Sequence, residues 1–410
     1  MSTVARLHLF QGFGVELEYA IVEADSLNVA PLTDRLIEAA CGRTVSEFER
    51  GEFAWSNELV LHVVEFKTNG PAAGLGGLAE GFQKCVREAN RLLGPMGCRL
   101  MPGAMHPWMD PVRETRLWPH EYNAVYEAYD WIFGCQGHGW SNVQSTHVNL
   151  PFCGDAEFGR LHAAVRLVLP LLPALAGSSP VAGGRVTGLV DTRLDYYRHN
   201  QRRVPVITGD VIPEPVYTEK DYGRVINGPI WEALGPLDPE GVLVGEEFVN
   251  SRGAIARFGR GSIEVRLLDI QECPAADLAV VEAMVAVVRG LVEERWSPWA
   301  DQAGAAVEPL RDLLIEAIGC GGEARVTDGE YLALLGSGLR PGCSCGELWQ
   351  DLFSRTGQEN AFVRTLGARG TLAARLLRRL GRSPDGRRLR AVYGELCDCL
   401  EEGRLFDGVS

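Results

Sequence analysis

Phe13-Gly14-Val15-Glu16-Leu17-Glu18-Tyr19 reads as a β-strand. Strand side chains alternate between faces, so Phe13, Val15, Leu17 and Tyr19 point into a core, and Gly14, Glu16 and Glu18 point the other way. Two carboxylates on one strand face stand about 7 Å apart. Like charges that close resist joint ionisation unless solvent, an arginine or a divalent cation neutralises them. Hard oxygen ligands suit Mg²⁺. A single Glu-x-Glu is by itself an ordinary solvated edge, so the reading turns on whether other segments supply matching groups.

Three other segments do. Residues 58–68 read as a strand with a nearly continuous apolar run, as in a central strand covered on both faces. It ends in Glu65-Phe66-Lys67-Thr68, before the breaker Asn69-Gly70-Pro71. Ser145-Thr146-His147-Val148-Asn149-Leu150-Pro151, read as a strand, puts His147 and Asn149 on one face. Ser262-Ile263-Glu264-Val265-Arg266-Leu267 puts Glu264 and Arg266 on one face. Each alone has a plain explanation, such as a surface ion pair worth under about 1 kcal/mol. Together they make a carboxylate-rich sheet face with one histidine, which suits divalent cations, with Mn²⁺ as the substitute that a histidine ligand accepts.

The rest of the chain reads as helices and loops around these strands. Residues 29–40 and 45–49 read as short helix and loop, and 75–93 as an amphipathic helix. Residues 95–119, rich in Pro, Trp and Met, read as a long ordered loop. Residues 124–133 carry an aromatic stripe, Tyr126, Tyr129 and Phe133, expected in the core. Residues 156–175 read as a helix, and Pro274 opens another that runs to residue 296. A composition shift near Ser297-Pro298 divides the chain into 1–296 and a mostly helical 297–410, whose arginines, Arg375 among them, are expected on solvated faces.

The chain has 410 residues, ordinary globular composition and a net charge of −14, which argues against a general nucleic-acid-binding surface. No uninterrupted apolar run reaches the roughly 20 residues of a membrane span. Residues 1–10 lack a secretory signature, so the expectation is a cytoplasmic protein without membrane partners. The pairs Cys343/Cys345 and Cys397/Cys399 have a spacing less common for zinc than Cys-x₂-Cys, and read as buried thiols. No Gly-x-x-x-x-Gly-Lys-Ser/Thr, Gly-x-Gly-x-x-Gly after a strand or Gly-x-Ser-x-Gly elbow is present. A bound nucleotide would depend on carboxylate-held metal and arginine.

Gly14-Val15-Glu16-Leu17-Glu18, Glu65-Phe66-Lys67-Thr68, Thr146-His147-Val148-Asn149 and Ser262-Ile263-Glu264-Val265-Arg266 stand in the order of the glutamate–cysteine ligase type 2, or carboxylate–amine ligase, family, which the chain resembles over about residues 10–295. Gly177-Ser178-Ser179-Pro180 and Asp191-Thr192-Arg193 are similar to that family's small-residue turn and substrate-side arginine. The resemblance implies an α+β, glutamine-synthetase-like fold, with a curved antiparallel sheet forming a funnel and helices outside. It implies ATP and two or three Mg²⁺ ions. Glu16, Glu18, Glu65, His147 and Glu264 would be metal ligands, and Arg266, with Glu264, would act at the transferring phosphate. Arg193 would meet a substrate carboxylate or phosphate, and Lys67, Thr68, Asn149 and Tyr196 would line the substrate and nucleotide sides. The implied reaction joins a small-molecule carboxylate, with glutamate as the family's example, to an amine through an acyl phosphate. The amine, the oligomeric state (monomer or homo-oligomer) and the role of 297–410 are left open, as are the same chemistry on a peptide or secondary-metabolite amine and a non-catalytic scaffold that keeps the fold.

Overall fold

The computed structural model describes residues 6–409; residues 1–5, part of the segment read for a leader, and residue 410 lie outside the described residues. Eight strands form one open antiparallel sheet: β1 (Gly14–Glu23), β2 (Glu47–Arg50), β3 (Phe53–Asn57), β4 (Val63–Thr68), β5 (Cys98–Met101), β6 (Ser145–Pro151), β7 (Ala254–Arg257) and β8 (Ser262–Asp269). Their order is β2-β3-β4-β1-β6-β8-β7, and β5 pairs with the last four residues of β1. The opening stretch is therefore an interior strand, held by β4 on one side and β6 on the other.

Alternation on β1 is as the sequence requires. Phe13, Val15, Leu17 and Tyr19 are buried in the main core, where Tyr19 packs on Phe66 and Phe66 on Trp55. Helices Leu78–Leu93, Gly154–Val168 and Pro274–Val292 cover this apolar face. The stretch Gly154–Ala176 is long and apolar enough to cross a membrane by composition, but its most apolar 18-residue window is 94% buried inside the protein, as befits a core helix. Helices Val307–Cys320 and Cys345–Thr356 join the same core. Leu372–Leu380 and Gly386–Glu402 close a smaller cluster over Ala20, Val22 and Met101, at the β5 end of β1.

Several local expectations are corrected. The strand expected from residue 58 begins at Val63, because Val60 bridges to Leu117 and residues 58–62 turn into the sheet. Residues 45–49, expected as helix and loop, enter the edge strand β2, which forms a hairpin with β3 around Gly51, whose φ of 66° suits glycine. The loop expected over 95–119 contains β5. Arg375 is 1% exposed instead of solvated, because the buried carboxylate of Glu272 holds it at 2.5 Å. Cys345, Cys397 and Cys399 are buried free thiols, and the two Cys-x-Cys pairs lie in different packing clusters.

Candidate active site

Register builds the site. Glu16 sits between Lys67 of β4 and His147 of β6, Glu18 sits opposite Glu65, and Gly14 and Glu264 sit opposite Asn149. A Cβ on Gly14 would come within 2.9 Å of Asn149 Cβ, so only glycine lets β1 and β6 close here. The β6–β8 register shifts between Val265 and Leu268. Such a bulge re-aims a side chain, here Arg266, toward the face that carries His147. Arg266 Nε donates to Glu264 at 2.6 Å, and Arg257 Nη1 donates to the other oxygen of Glu264 at 2.8 Å.

Two overlapping ligand groups converge on this face. Glu16, Glu65 and His147 form one and Glu18, Glu58 and Glu65 the other; within each, the donor atoms lie within 4.8 Å of one another. His147 Nδ1 is 3.1 Å from Glu16, and Asn149 Nδ2 donates to the same carboxylate at 3.1 Å. The backbone N–H and hydroxyl of Ser145 donate to Glu18 at 2.7 and 3.1 Å. Glu65 accepts from Ser56 and lies 3.1 Å from Lys67 Nζ.

The local cations do not neutralise all of these carboxylates. Burial, then the charge of Glu16, pushes Glu65 up to about 7 in spite of Lys67. Burial, then Glu18 and Glu65, pushes Glu58 well above the carboxylate range. Burial opposes ionisation of Glu16 too, but the His147 hydrogen bond and the charges of His147 and Lys67 outweigh it and hold Glu16 near 2. The hydrogen bond to Glu16 and the charges of Glu18, Glu16 and Glu264 raise His147 to about 9 against its burial. Buried oxygen donors with this surplus of negative charge fit a divalent cation.

Two cavities open along the polar face of β1. The first, about 540 Å³, is lined by Glu16, Lys67, Thr68, Asn149, Arg6 and Arg260. The second, about 240 Å³, is lined by Glu18, Glu58, His147, Arg193 and Arg266 and by several aromatic rings. Arg193 is 2% exposed, its Nε is 2.5 Å from Asp269, and its Nη2 has no partner.

The structure thus brings Glu16, Glu18, Glu65 and His147 together and places Glu264 one pair across, held by two arginines. Lys67, Thr68 and Asn149 face the first cavity, Arg193 and Arg266 the second. Tyr196 is 36% exposed, with its ring against His138, and it is Tyr197 that lines the second cavity. Glu58 escaped sequence reading because it was placed inside a strand; its only signal was a charge at the head of an apolar run. Tyr126 and Tyr129, expected in the core, are half-buried on the cavity wall, because the helix Asn123–Phe133 turns its stripe toward the site.

Residues 12–316 match the profile of glutamate-cysteine ligase family 2. An uncharacterized protein of Archaeoglobus fulgidus is 37% identical over 282 residues, 68% of this chain and 75% of that one. A Bradyrhizobium protein named "Putative glutamate--cysteine ligase 2" is 28% identical over 281 residues, covering 66% of this chain and 59% of its own length. The crystal structure of a glutamate–cysteine ligase from Francisella tularensis in complex with AMP superposes with a TM-score of 0.57 at 10% identity, over 99% of this chain and 91% of that one, and so shares the fold.

Proposed function

The chain belongs to glutamate-cysteine ligase family 2, and from that premise we propose that it is an ATP-dependent carboxylate–amine ligase working through an acyl phosphate. One observation carries the reading: two cavities meet at a buried carboxylate–histidine face, with Glu16 lining one and Glu18 the other. A two-substrate phosphoryl transfer needs such a junction, since its catalysis is mainly positioning and charge neutralisation.

Glu16, Glu65 and His147, and Glu18, Glu58 and Glu65, would hold Mg²⁺. Bound there, the ions would supply charge neutralisation to the phosphates. In the first cavity Lys67, Arg6 and Arg260 provide cations for a polyphosphate, and Thr68 and Asn149 provide polar contacts. The substrate carboxylate attacks the γ-phosphorus, giving acyl phosphate and ADP, and the amine then displaces phosphate. Arg266, fixed by Glu264, lies beside the junction to take up charge on the transferring group. Arg193, buried and anchored by Asp269, offers its guanidinium to a carboxylate in the second cavity.

The relatives' names make glutamate with cysteine the first pair to assay. The test is ADP release by purified protein with ATP and Mg²⁺, for donor carboxylates with and without amine, backed by mass spectrometry of the amide. Hydroxylamine as a minimal amine would trap the acyl phosphate as a hydroxamate. No ADP and no hydroxamate across the donor panel would reject the ligase reading in favour of a scaffold.

A further inference from the structure

The second cavity has a wall that ligase chemistry alone does not call for. Five half-buried aromatic side chains line it: Tyr126, Tyr129, Trp140, Tyr197 and Phe248. The wall is pre-packed. The ring of Trp140 stacks on Phe133 at 5.4 Å and 26°, and lies 5.2 Å from Tyr129. Two of the hydroxyls are already engaged: Asn57 Nδ2 donates to the Tyr126 oxygen at 3.0 Å, and the Tyr197 hydroxyl donates to the Arg252 carbonyl at 3.4 Å. What these residues leave for the cavity is mainly ring surface, joined by the apolar side chains of Leu59, Val60 and Val143.

The same cavity is also lined by ionic groups of both signs. Arg193 is nine-tenths buried and more, and its Nη2 lacks any partner. Glu18 and Glu58 stand beside it on the junction side. Each guanidinium there already has a carboxylate, Asp269 for Arg193 and Glu264 for Arg266, and the Nη2 of Arg193 is left to receive a further one. At about 240 Å³ the cavity is smaller than the roughly 300–1,000 Å³ of drug-sized sites, and suits one amino-acid-sized molecule.

We propose that the amine acceptor of this enzyme is an α-amino acid with an aromatic side chain. Its carboxylate meets Arg193, its nitrogen lies against Glu18 and Glu58 next to the junction, and its ring packs on Trp140 and Tyr129. The proposal rests on the ligase reading. Cysteine would satisfy the ionic wall but leave most of the aromatic wall uncovered, and a single buried methylene already changes specificity by about 10–200-fold. In the coupling step the acceptor's free amine nitrogen forms the C–N bond as the carbonyl–phosphate bond breaks; phosphate leaves with the electron pair and takes up the proton that the nitrogen sheds.

The test uses the full chain with ATP, Mg²⁺ and a donor that yields hydroxamate. Acceptors are phenylalanine, tyrosine and tryptophan against cysteine and 2-aminobutyrate. The expected result is at least tenfold higher kcat/KM for an aromatic acceptor, with the amide confirmed by mass. Trp140→Ala should raise the aromatic acceptor's KM tenfold or more and leave the KM for ATP within twofold. Calorimetric binding of L-tryptophan should weaken in parallel, and Trp140→Phe should restore most of it. Hydroxamate formation with cysteine preferred over every aromatic acceptor would overturn the proposal and leave the ligase reading standing. No hydroxamate with any donor would overturn both.

Discussion

Leu17 and Glu18 are neighbours on β1 and occupy opposite environments. Leu17 is wholly buried among Val15, Tyr19 and the helices behind the sheet. Glu18 is nearly as buried, at 6%, but among Glu58, Glu65 and His147. Burial is therefore not what separates the two faces. One exchanges water for hydrocarbon, which is favourable at about 25 cal/mol per Å². The other gathers carboxylates that repel one another and keeps them in register because the first face holds the strand still. Stability resides on one side of β1 and chemistry on the other.

The largest expected effects test that division directly. Leu17→Ala should destabilise the fold by about 2–5 kcal/mol, the range for a buried leucine, seen as a lower denaturation midpoint in urea. The protein that remains folded should keep ATP turnover within a few-fold. Glu16→Gln should strike activity first: ADP release should fall by about 100-fold or more, the scale of losing one charge-stabilising group at a reacting centre, while the protein still folds with a urea midpoint lowered by the lost pairing to His147. If both substitutions unfolded the protein, or both spared activity, the two faces would not be separable.

The same contrast decides what sequence could show. Period-two alternation made Glu16, Glu18, His147, Asn149, Glu264 and Arg266 legible, since each sits on a strand whose apolar partners mark the face. Tyr126 and Tyr129 were misplaced because a helical aromatic stripe looks alike whether it meets a core or a cavity. Arg375 was misread because a charge is classed as solvent-facing until its partner, Glu272, is brought beside it, and Glu58 drew no reading because only tertiary packing sets it beside Glu18. Arg193 and Tyr196 lie on the short helix Thr192–Tyr197, where residues four apart share a face, so Arg193 takes Tyr197 inward with it and not Tyr196.

A smaller effect should appear in the pH dependence of stability. Glu65 has a folded pKa raised from 4.5 to about 7, so the folded form binds more protons than the unfolded chain between those values. Stability from this group is present below pH 4.5 and is lost as pH rises to about 7. Glu16 has the opposite sign, and its contribution is lost only as pH falls from 4.5 toward 2, so the two windows do not overlap. Glu65→Gln should flatten the decline in melting temperature between pH 5 and 7, and Mg²⁺ added to the wild type at pH 7 should raise its melting temperature more than that of the variant. A wild-type melting temperature that climbs across that window would place the proton elsewhere.

The smallest expected effect concerns two adjacent tyrosines. Tyr196 rests against His138 with a third of its surface in water, whereas Tyr197 faces the second cavity and donates to the Arg252 carbonyl. Tyr196→Ala removes a partly exposed ring and should shift stability by no more than about 0.5 kcal/mol, the range of surface substitutions away from special features. The KM for either substrate should stay within twofold. Tyr197→Phe keeps the ring and removes the hydroxyl, a hydrogen bond worth about 1 kcal/mol, so its urea midpoint should fall slightly while substrate KM values hold. If Tyr196→Ala raised a KM by tenfold, the substrate would have to reach past the cavity to the His138 side of the helix, and the boundary drawn between chemical face and outer surface would move outward by one residue.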